Sequence, residues 1–310
     1  MTQLEPVFYR RWRKVQALLL YRRLLRAGEP VFIPTATYFD LRALDLAARG
    51  KVPPRRVFLY FHKLRMDAQR AQALAQLARR QPELELFGTS EEIVERLRTA
   101  GFAHVRRVLP VLSGGQPQPA PAALPPFRYL LSAGAARADK GFSHIVDLVD
   151  WMARSGAQLP IAVQTSGDHY GRYDERTAAD LVRLRAIAYR GLTLIDGTQD
   201  SKQYAALFPG AVCLQPYERA EYADKMSAVT FDALRAGAPI VTLSGTTMAA
   251  IVAQSGAGFV IEDASAPALL AAATAAVERY GELQARAVAG AAAYDPLNSW
   301  APLVERLRAA

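Results

Sequence analysis

The sequence is poor in the residues that many simple chemistries need. It holds one cysteine, Cys213, so no internal disulfide can form, and its place in an apolar strand reads as a buried, inert thiol in a reducing compartment. The four histidines do not combine with Cys, Asp or Glu at the spacing of a metal site, and no metal is expected. There is no nucleophile elbow and no Walker loop. No apolar run reaches the roughly 18–20 residues of a membrane span. The N-terminus carries Arg10, Arg11, Arg13 and Lys14 without a clean apolar core and cleavage site behind them, which predicts no signal peptide and a cytoplasmic setting.

Apolar residues and positive charge are plentiful. The 310 residues are 51% hydrophobic, enough for two domains with real cores. Lys and Arg number 38 against 29 Asp and Glu, a net charge of +9, which suits an anionic partner: a phosphorylated substrate, an anionic lipid or a nucleic acid. The charge permits a basic nucleic-acid-binding α/β protein, but no motif interleaves aromatic and basic residues for that purpose, so no nucleic acid is expected. The stretch Tyr9–Ala27 reads as one helix with Val15, Leu18, Leu19, Leu24 and Leu25 inward and Arg10, Arg13, Lys14, Arg22, Arg23 and Arg26 outward. Trp12 and Tyr21 suit a water–lipid boundary. The helix is therefore either an interfacial helix on an anionic membrane, peripheral on its inner face, or an edge helix with solvated arginines.

Organisation follows from alternating strand and helix patterns. Before the linker, strand candidates are Pro30–Pro34, Arg56–Phe61, Glu83–Phe87 and Arg106–Pro110, with helices near Asp40–Ala48, Asp67–Arg80 and Ser90–Ala100. The spacing predicts about three full strands there. The stretch 113–126 is too dense in Pro and Gly for a regular element and reads as a linker. It separates a first domain, 1–112, from a second, 127–295, with a terminal helix in 296–310. The second domain predicts strands at Tyr129–Ala133, Pro160–Thr165, Leu192–Ile195, Ala211–Leu214, Pro239–Leu243 and Gly258–Ile261. Helices are expected between them at Phe142–Arg154, Glu175–Tyr189, Ser201–Leu207, Met226–Ala236, Thr247–Ser255 and Ala266–Tyr280. Such an alternation specifies a doubly wound parallel sheet whose ligands sit beyond the carboxyl ends of its strands.

Two stretches at such strand ends carry candidate chemistry. In Gln215–Leu243 a loop bearing Asp224 and Lys225 leads to Ser227 at a helix start, and Gly237 closes that helix. A Ser at the helix start, free amides at Ala228 and Val229 and a lysine beside them make a seat for an anion, most naturally a phosphate. In Ser132–Phe142 a turn containing Gly134 is followed by Arg137, Lys140 and a helix opening at Gly141. Close backbone approach, fixed positive charge and helix amides are what a diphosphate requires. The bland alternative for both is an ordinary loop leading into a helix.

Together these stretches resemble the donor-nucleotide motifs of GT-B glycosyltransferases of the retaining, GT4-like kind (group 1 glycosyltransferases). In that family an acid, seven residues, a second acid and then Ala-x-x-x-Gly-x-Pro-Val bind a nucleotide sugar. Here the pattern stands as Asp224, seven residues, and Asp232-Ala-Leu-Arg-Ala-Gly-Ala-Pro-Ile-Val241. Both family Glu positions are filled by Asp, and the usual Phe-Gly after the first acid is missing. Pro216, Tyr217, Tyr222, Lys225 and Ser227 are similar to one branch of these enzymes, and Gly134 to Gly141 is similar to Gly-x-x-Arg-x-x-Lys-Gly.

The resemblance implies an α/β GT-B-like fold of two Rossmann-like, doubly wound parallel-sheet domains. The N-terminal, acceptor-side domain is shortened, and the terminal helix packs back on it. The implied activity is metal-independent, retaining transfer of a sugar from a UDP- or GDP-linked donor to a saccharide or lipid-linked acceptor, in cell-surface polysaccharide or glycolipid synthesis. The nucleotide sugar is a substrate, and no cofactor is expected. Arg137 and Lys140 would neutralise the departing diphosphate, helped by Lys225 and the amides around Ser227, Ala228 and Val229, with Gly134 giving close approach. Asp232 would accept from ribose hydroxyls and Asp224 from the donor sugar, with Glu218 and Glu221 as substitutes. His62 would face the interdomain cleft as a catalytic residue or lie solvated in a loop, and His169 is weighed as lining the nucleotide pocket. The short first domain makes a completing partner chain or a membrane surface attractive. Two other readings stay open: a GT-B module that binds a nucleotide sugar or a partner without turnover, and a basic nucleic-acid-binding protein.

Overall fold

The structure is a computed structural model and describes residues 5–109, 124–167, 171–294 and 300–309. The chain forms two compact units, Met1–Gly115 with Leu297–Ala310, and Gln116–Pro296.

The first unit is built on four parallel strands, β1 (Val31–Ala36), β2 (Val57–Phe61), β3 (Glu85–Gly88) and β4 (Val105–Arg107), in spatial order β1-β2-β3-β4. Each of the four strand candidates is present, the last as a strand of only three residues, so three of them are full strands. The crossover helices are α2 (Tyr38–Ala47), α3 (Ala68–Arg80) and α4 (Glu91–Thr99), and the last two begin at side chains that satisfy free helix amides. Asp67 accepts from the Arg70 amide at 2.8 Å and Ser90 from the Ile93 amide at 3.3 Å. Strand β2, Val-Phe-Leu-Tyr-Phe, is buried on both faces. Val57, Leu59 and Phe61 join Leu41, Leu44, Leu74 and Leu77 in one core. Phe58 and Tyr60 point the other way, as strand alternation requires, and meet Phe87, Val108 and Leu303. Leu303 belongs to the last helix, α13 (Ala301–Arg308), which also places Arg306 3.1 Å from the buried Glu85.

The first helix, α1 (Glu5–Arg26), packs on α2 through a face that overlaps the expected one only in part. Leu18, Leu24 and Leu25 do turn toward the core and Tyr21 is buried. Val15 and Leu19, expected inward, are 47% and 57% exposed. The helix carries apolar residues on two sides, and the Tyr21 hydroxyl's bond to Asp40 on α2 selects the side that faces in.

The second unit carries six parallel strands in the order β10-β9-β8-β5-β6-β7. They are β5 (Tyr129–Ser132), β6 (Ile161–Gln164), β7 (Leu192–Ile195), β8 (Ala211–Gln215), β9 (Ile240–Leu243) and β10 (Gly258–Ile261). The chain starts at the centre, winds outward through β6 and β7, returns to the other side of β5 and winds outward again. Strand order therefore reverses between β5 and β8, whose pairing runs Tyr129 with Ala211, Leu130 with Val212 and Leu131 with Cys213. Helices α5 (Phe142–Ser155) and α11 (Ala266–Glu278) cover one face, packing Ile145, Val149, Leu269 and Ala273 on Leu130, Val163, Val212, Leu214 and Val241. Such fully buried leucines each stabilise the unit by about 2–5 kcal/mol relative to alanine.

Helix α6 (Glu175–Ala186) leads to β7, and the short α7 (Ser201–Ala205) and α8 (Arg219–Tyr222) flank β8. Next come α9 (Ala228–Arg235) and α10 (Thr247–Ser255). Helix α12 (Tyr280–Tyr294) was not expected from the sequence. Alanine and glycine dominate it, so its apolar stripe is faint, yet Leu283, Ala287, Ala291 and Tyr294 are buried and it packs on α9.

Candidate active site at the strand-order reversal

In an open parallel sheet, the loops that leave neighbouring strands at a reversal of order diverge and open a crevice for ligands. In the second unit those loops follow β5 and β8, and they hold the two stretches that stand out in the sequence.

After β5 the chain turns at Gly134, in the left-handed region at φ +89°. A Cβ there would fall on the Lys140 ammonium, and it would lie 3.4 Å from Val229 Cγ2 at the start of α9. The Gly134 amide donates to Gln164 Oε1 at 2.7 Å, fastening the turn to the end of β6. Arg137 is extended, one 3-10 turn covers Ala138–Lys140, and Gly141 is left-handed at φ +69°. Any side chain at Gly141 would strike the Pro216 carbonyl, so glycine is what lets the loops after β5 and β8 touch. The Glu218 amide donates to the Asp139 carbonyl at 3.0 Å and ties them again.

Three cations meet on this scaffold. Lys140 lies 5.7 Å from the centre of the Tyr217 ring, and Lys225 lies 4.6 Å from that of Tyr222. Tyr217 and Tyr222 are buried against each other and Met248. Arg137 Nε donates to Asp139 Oδ1 at 2.8 Å, its terminal nitrogen donates to Oδ2, and Lys225 Nζ stands 3.3 Å from that same Oδ2. Burial, reinforced by the charges of Arg137 and Lys225 and opposed by Asp139, pushes the Lys140 ammonium down to about 8. Burial alone would raise the Asp139 carboxyl, but the Arg137 hydrogen bonds and the two cations hold it below its ordinary value.

The loop after β8 delivers the start of α9. Ser227 occupies the capping position and is 6% exposed, but its side chain makes no capping hydrogen bond. The first amides of a helix have no acceptor within it, and in α9 these belong to Ala228 and Val229. Thr247 Oγ donates to the Lys225 carbonyl at 2.6 Å and fixes the backbone beside that lysine. Thr246 caps α10 by accepting from the Ala249 amide at 3.2 Å.

The fold thus gathers Gly134, Arg137, Lys140, Lys225 and Val229, with Ser227 and Ala228 adjoining. The remaining candidates are placed differently. Asp224, one residue before Lys225, is 4% exposed and engaged within the protein. Asp232, on α9, accepts a hydrogen bond from Tyr204 of α7, and burial together with the Asp232 charge raises the Tyr204 hydroxyl above its ordinary pKa. Glu218 and Glu221 are half-buried. His62 lies in the first unit just beyond β2, with Nε2 3.0 Å from the Pro34 carbonyl and its ring edge-on to Tyr60 at 4.6 Å. Desolvation lowers its imidazole below the ordinary value despite that hydrogen bond. His144 lies 3.9 Å from Glu218, and His169 falls outside the described residues.

Sequence reasoning passed over Asp139 and Gln164. A carboxylate between two quoted cations was a legible signal for the first. Gln164, at the end of a strand remote in sequence, offered none. Among the described residues, no group of three or more His, Cys, Asp or Glu is arranged to hold a metal ion.

No protein-family model matches the chain, and no curated protein sequence matches it. Solved structures do match in fold. A UDP-forming α,α-trehalose-phosphate synthase from Burkholderia vietnamiensis aligns with a TM-score of 0.66 at 12% identity, over 100% of this chain and 81% of that one. Sucrose-phosphate synthase from Thermosynechococcus elongatus aligns at 0.60 and 17% identity, over 88% and 72%. Anabaena HepE, in complex with UDP and glucose, aligns at 0.63 and 12% identity, over 93% and 80%. With two parallel-sheet α/β units matched across nearly its whole length, the chain has the fold of the GT-B glycosyltransferases.

Proposed function

We propose that the protein transfers a sugar, with retention, from a UDP- or GDP-linked donor to a saccharide or lipid-linked acceptor, in the synthesis of a cell-surface polysaccharide or glycolipid. The observation that carries this reading is the meeting of Arg137, Lys140 and Lys225 at the strand-order reversal, beside the start of α9. Breaking the anomeric C–O bond leaves a nucleoside diphosphate. Fixed cations and helix amides stabilise that charge without needing to protonate it, and such preorganised stabilisation is usually the largest catalytic contribution. Each charge-assisted contact to a phosphate oxygen contributes about 1.5–3 kcal/mol. On this reading the diphosphate is neutralised by protein groups rather than a metal. Asp232 lies on the ribose side, Asp224 on the sugar side, and His62 serves the acceptor.

The finer parts of the reading concern the first unit. Among the described residues its sheet has no strand-order reversal, and this chain spans 72–81% of the length of the matched structures. A partner chain completing that sheet would restore an acceptor crevice. Trp12, Leu19 and Leu20 of α1 and Leu46 of α2 are at least half exposed, at 52%, 57%, 53% and 65%, and Lys14, Arg23, Arg26 and Arg42 are exposed with them. These exposed apolar and basic side chains suit the cytoplasmic surface of an anionic membrane, where a lipid-linked acceptor would reside. Among the described residues no helix is long and apolar enough to cross a membrane.

A second reading, binding without turnover, draws support from the two shortened acids: Asp224 is buried and Asp232 already holds Tyr204. A thermal-shift panel of UDP- and GDP-sugars, followed by a donor-hydrolysis assay, separates the readings. Stabilisation with slow hydrolysis is expected for the transferase, and stabilisation without hydrolysis for the binding module. No stabilisation by any nucleotide sugar would reject both.

A further inference from the structure

Asp139 stands where the ligand's negative charge is expected. Both of its carboxylate oxygens accept from Arg137, and Oδ2 also faces Lys225. Lys140, next in sequence, feels the same carboxylate through its charge. The side chain is 19% exposed, against 39% for Arg137 and 30% for Lys225, so the carboxylate sits deeper than the cations it holds. It is also anchored, because its 3-10 turn is fastened to the loop after β8 through the Glu218 amide and the contact at Gly141.

We propose that Asp139 is an internal anion that competes with the diphosphate for Arg137 and Lys225, and so sets how tightly the site holds its nucleotide product. The inference rests on the reading that this cluster receives a diphosphate. In the ligand-free protein the carboxylate keeps three like charges together at a spacing they would otherwise resist. An arriving diphosphate needs the same donors. Arg137 has five N–H groups and gives Asp139 two of its nitrogens, while Lys225 has three donors, so sharing is geometrically open. Sharing places a fixed negative charge beside the ligand's own, and like charges in a partly desolvated site repel. The diphosphate is therefore bound less tightly than three cations alone would bind it, and it leaves more readily after the sugar has been transferred. No covalent step is assigned to Asp139; it acts through Arg137 and Lys225 as a positioning residue.

The test compares wild-type protein with Asp139→Asn, which preserves shape and removes the charge, using UDP and GDP binding by calorimetry and product inhibition of donor turnover. Folded Asp139→Asn is expected to bind the nucleotide diphosphate more tightly, on the order of ten-fold. Donor KM and kcat should fall together as release slows. Asp139→Ser is expected to shift affinity in the same direction, and Asp139→Glu, which keeps the charge, should stay near wild type. A merely structural carboxylate would give weaker binding in both neutral variants. If wild-type protein binds the nucleotide and folded Asp139→Asn and Asp139→Ser bind it equally or less well, this inference fails while the donor-site reading stands. If neither neutral variant folds, Asp139 is a structural counter-ion and the inference fails. If wild-type protein binds neither UDP nor GDP, the donor-site reading fails and takes the inference with it.

Discussion

The two sheets are built from the same unit, a parallel strand followed by a helix, yet they differ in winding. In the first unit the strands follow one another across the sheet, β1-β2-β3-β4, and among the described residues the order does not reverse. In the second it reverses between β8 and β5, and the loops after these two strands carry Gly134, Arg137, Lys140, Lys225 and Ser227. The difference teaches that strand content alone does not make a ligand site. A sheet wound in one direction keeps successive helices side by side, and a crevice opens only where neighbouring crossovers part to opposite faces.

Four experiments probe that contrast. The largest expected effect is on stability and belongs to the first unit. Arg306→Ala leaves Glu85, 3% exposed, without its cation, and an unpaired buried charge of this kind costs about 3 kcal/mol. Hydrogen exchange should show weakened protection in β2 and β3 while UDP or GDP still stabilises the second unit; uniform loss across both sheets would break the contrast. Next is Lys140→Ala in the second unit. Donor turnover should fall about 100-fold while the melting temperature is held or raised, since a buried charge disappears. Unchanged turnover would reject the assignment of the diphosphate site.

The third experiment varies pH. Lys140 in the free protein loses its proton near 8, with Arg137, Asp139, Lys225 and the Tyr217 ring facing it and Cys213, itself pushed up to about 12, nearby. The charged form binds the anion. Affinity for UDP or GDP is thus full below that value and weakens as pH rises through it, by up to about ten-fold per unit until the bound state also titrates. A flat binding profile from 7 to 9.5 (about 1.5 units beyond the midpoint) would show that Lys140 does not meet the phosphates. The smallest effect is expected from His62→Gln. Its side chain belongs to the sheet without a reversal, so nucleotide affinity should change less than about two-fold, and any loss should fall on transfer to the acceptor. A large loss of nucleotide affinity would place His62 at the donor and blur the distinction between the sheets.

Much of this architecture is legible in the sequence for physical reasons that vary by element. Strands such as β8 and β9 announce themselves because a parallel strand buried on both faces is a short continuous apolar run; the expected Ala211–Leu214 and Pro239–Leu243 lie within a residue of those found. Helix α12 is silent because alanines supply little contrast between its two sides. The inward face of α1 is misread because Val15, Leu19 and Leu20 compete with Leu18, Leu24 and Leu25, and periodicity cannot choose between two apolar stripes. Only the partner, α2 with Asp40, decides. The winding that separates the two sheets is invisible to local pattern, since it depends on which strand pairs with which. At the candidate site, Arg137, Lys140 and Lys225 stand out because cations beside a strand end and a glycine are conspicuous. Arg137 meets Asp139 within its own turn, but Lys225 reaches that carboxylate only through a long-range approach of two loops, made at Gly141 and Pro216.

The last helix has a consequence for how the molecule is made. Phe58, Tyr60 and Phe87 lie on the rear of a sheet that is complete by residue 107, but Leu303, which helps seal them, is synthesised nearly 200 residues later. While the intervening chain is being translated, those aromatic rings lack that lid, whereas the second sheet has every strand in hand by residue 261. The unit whose strands are synthesised first is therefore the one whose core waits longest for its last side chain, and its apolar rear face stays open to unwanted contacts for that interval.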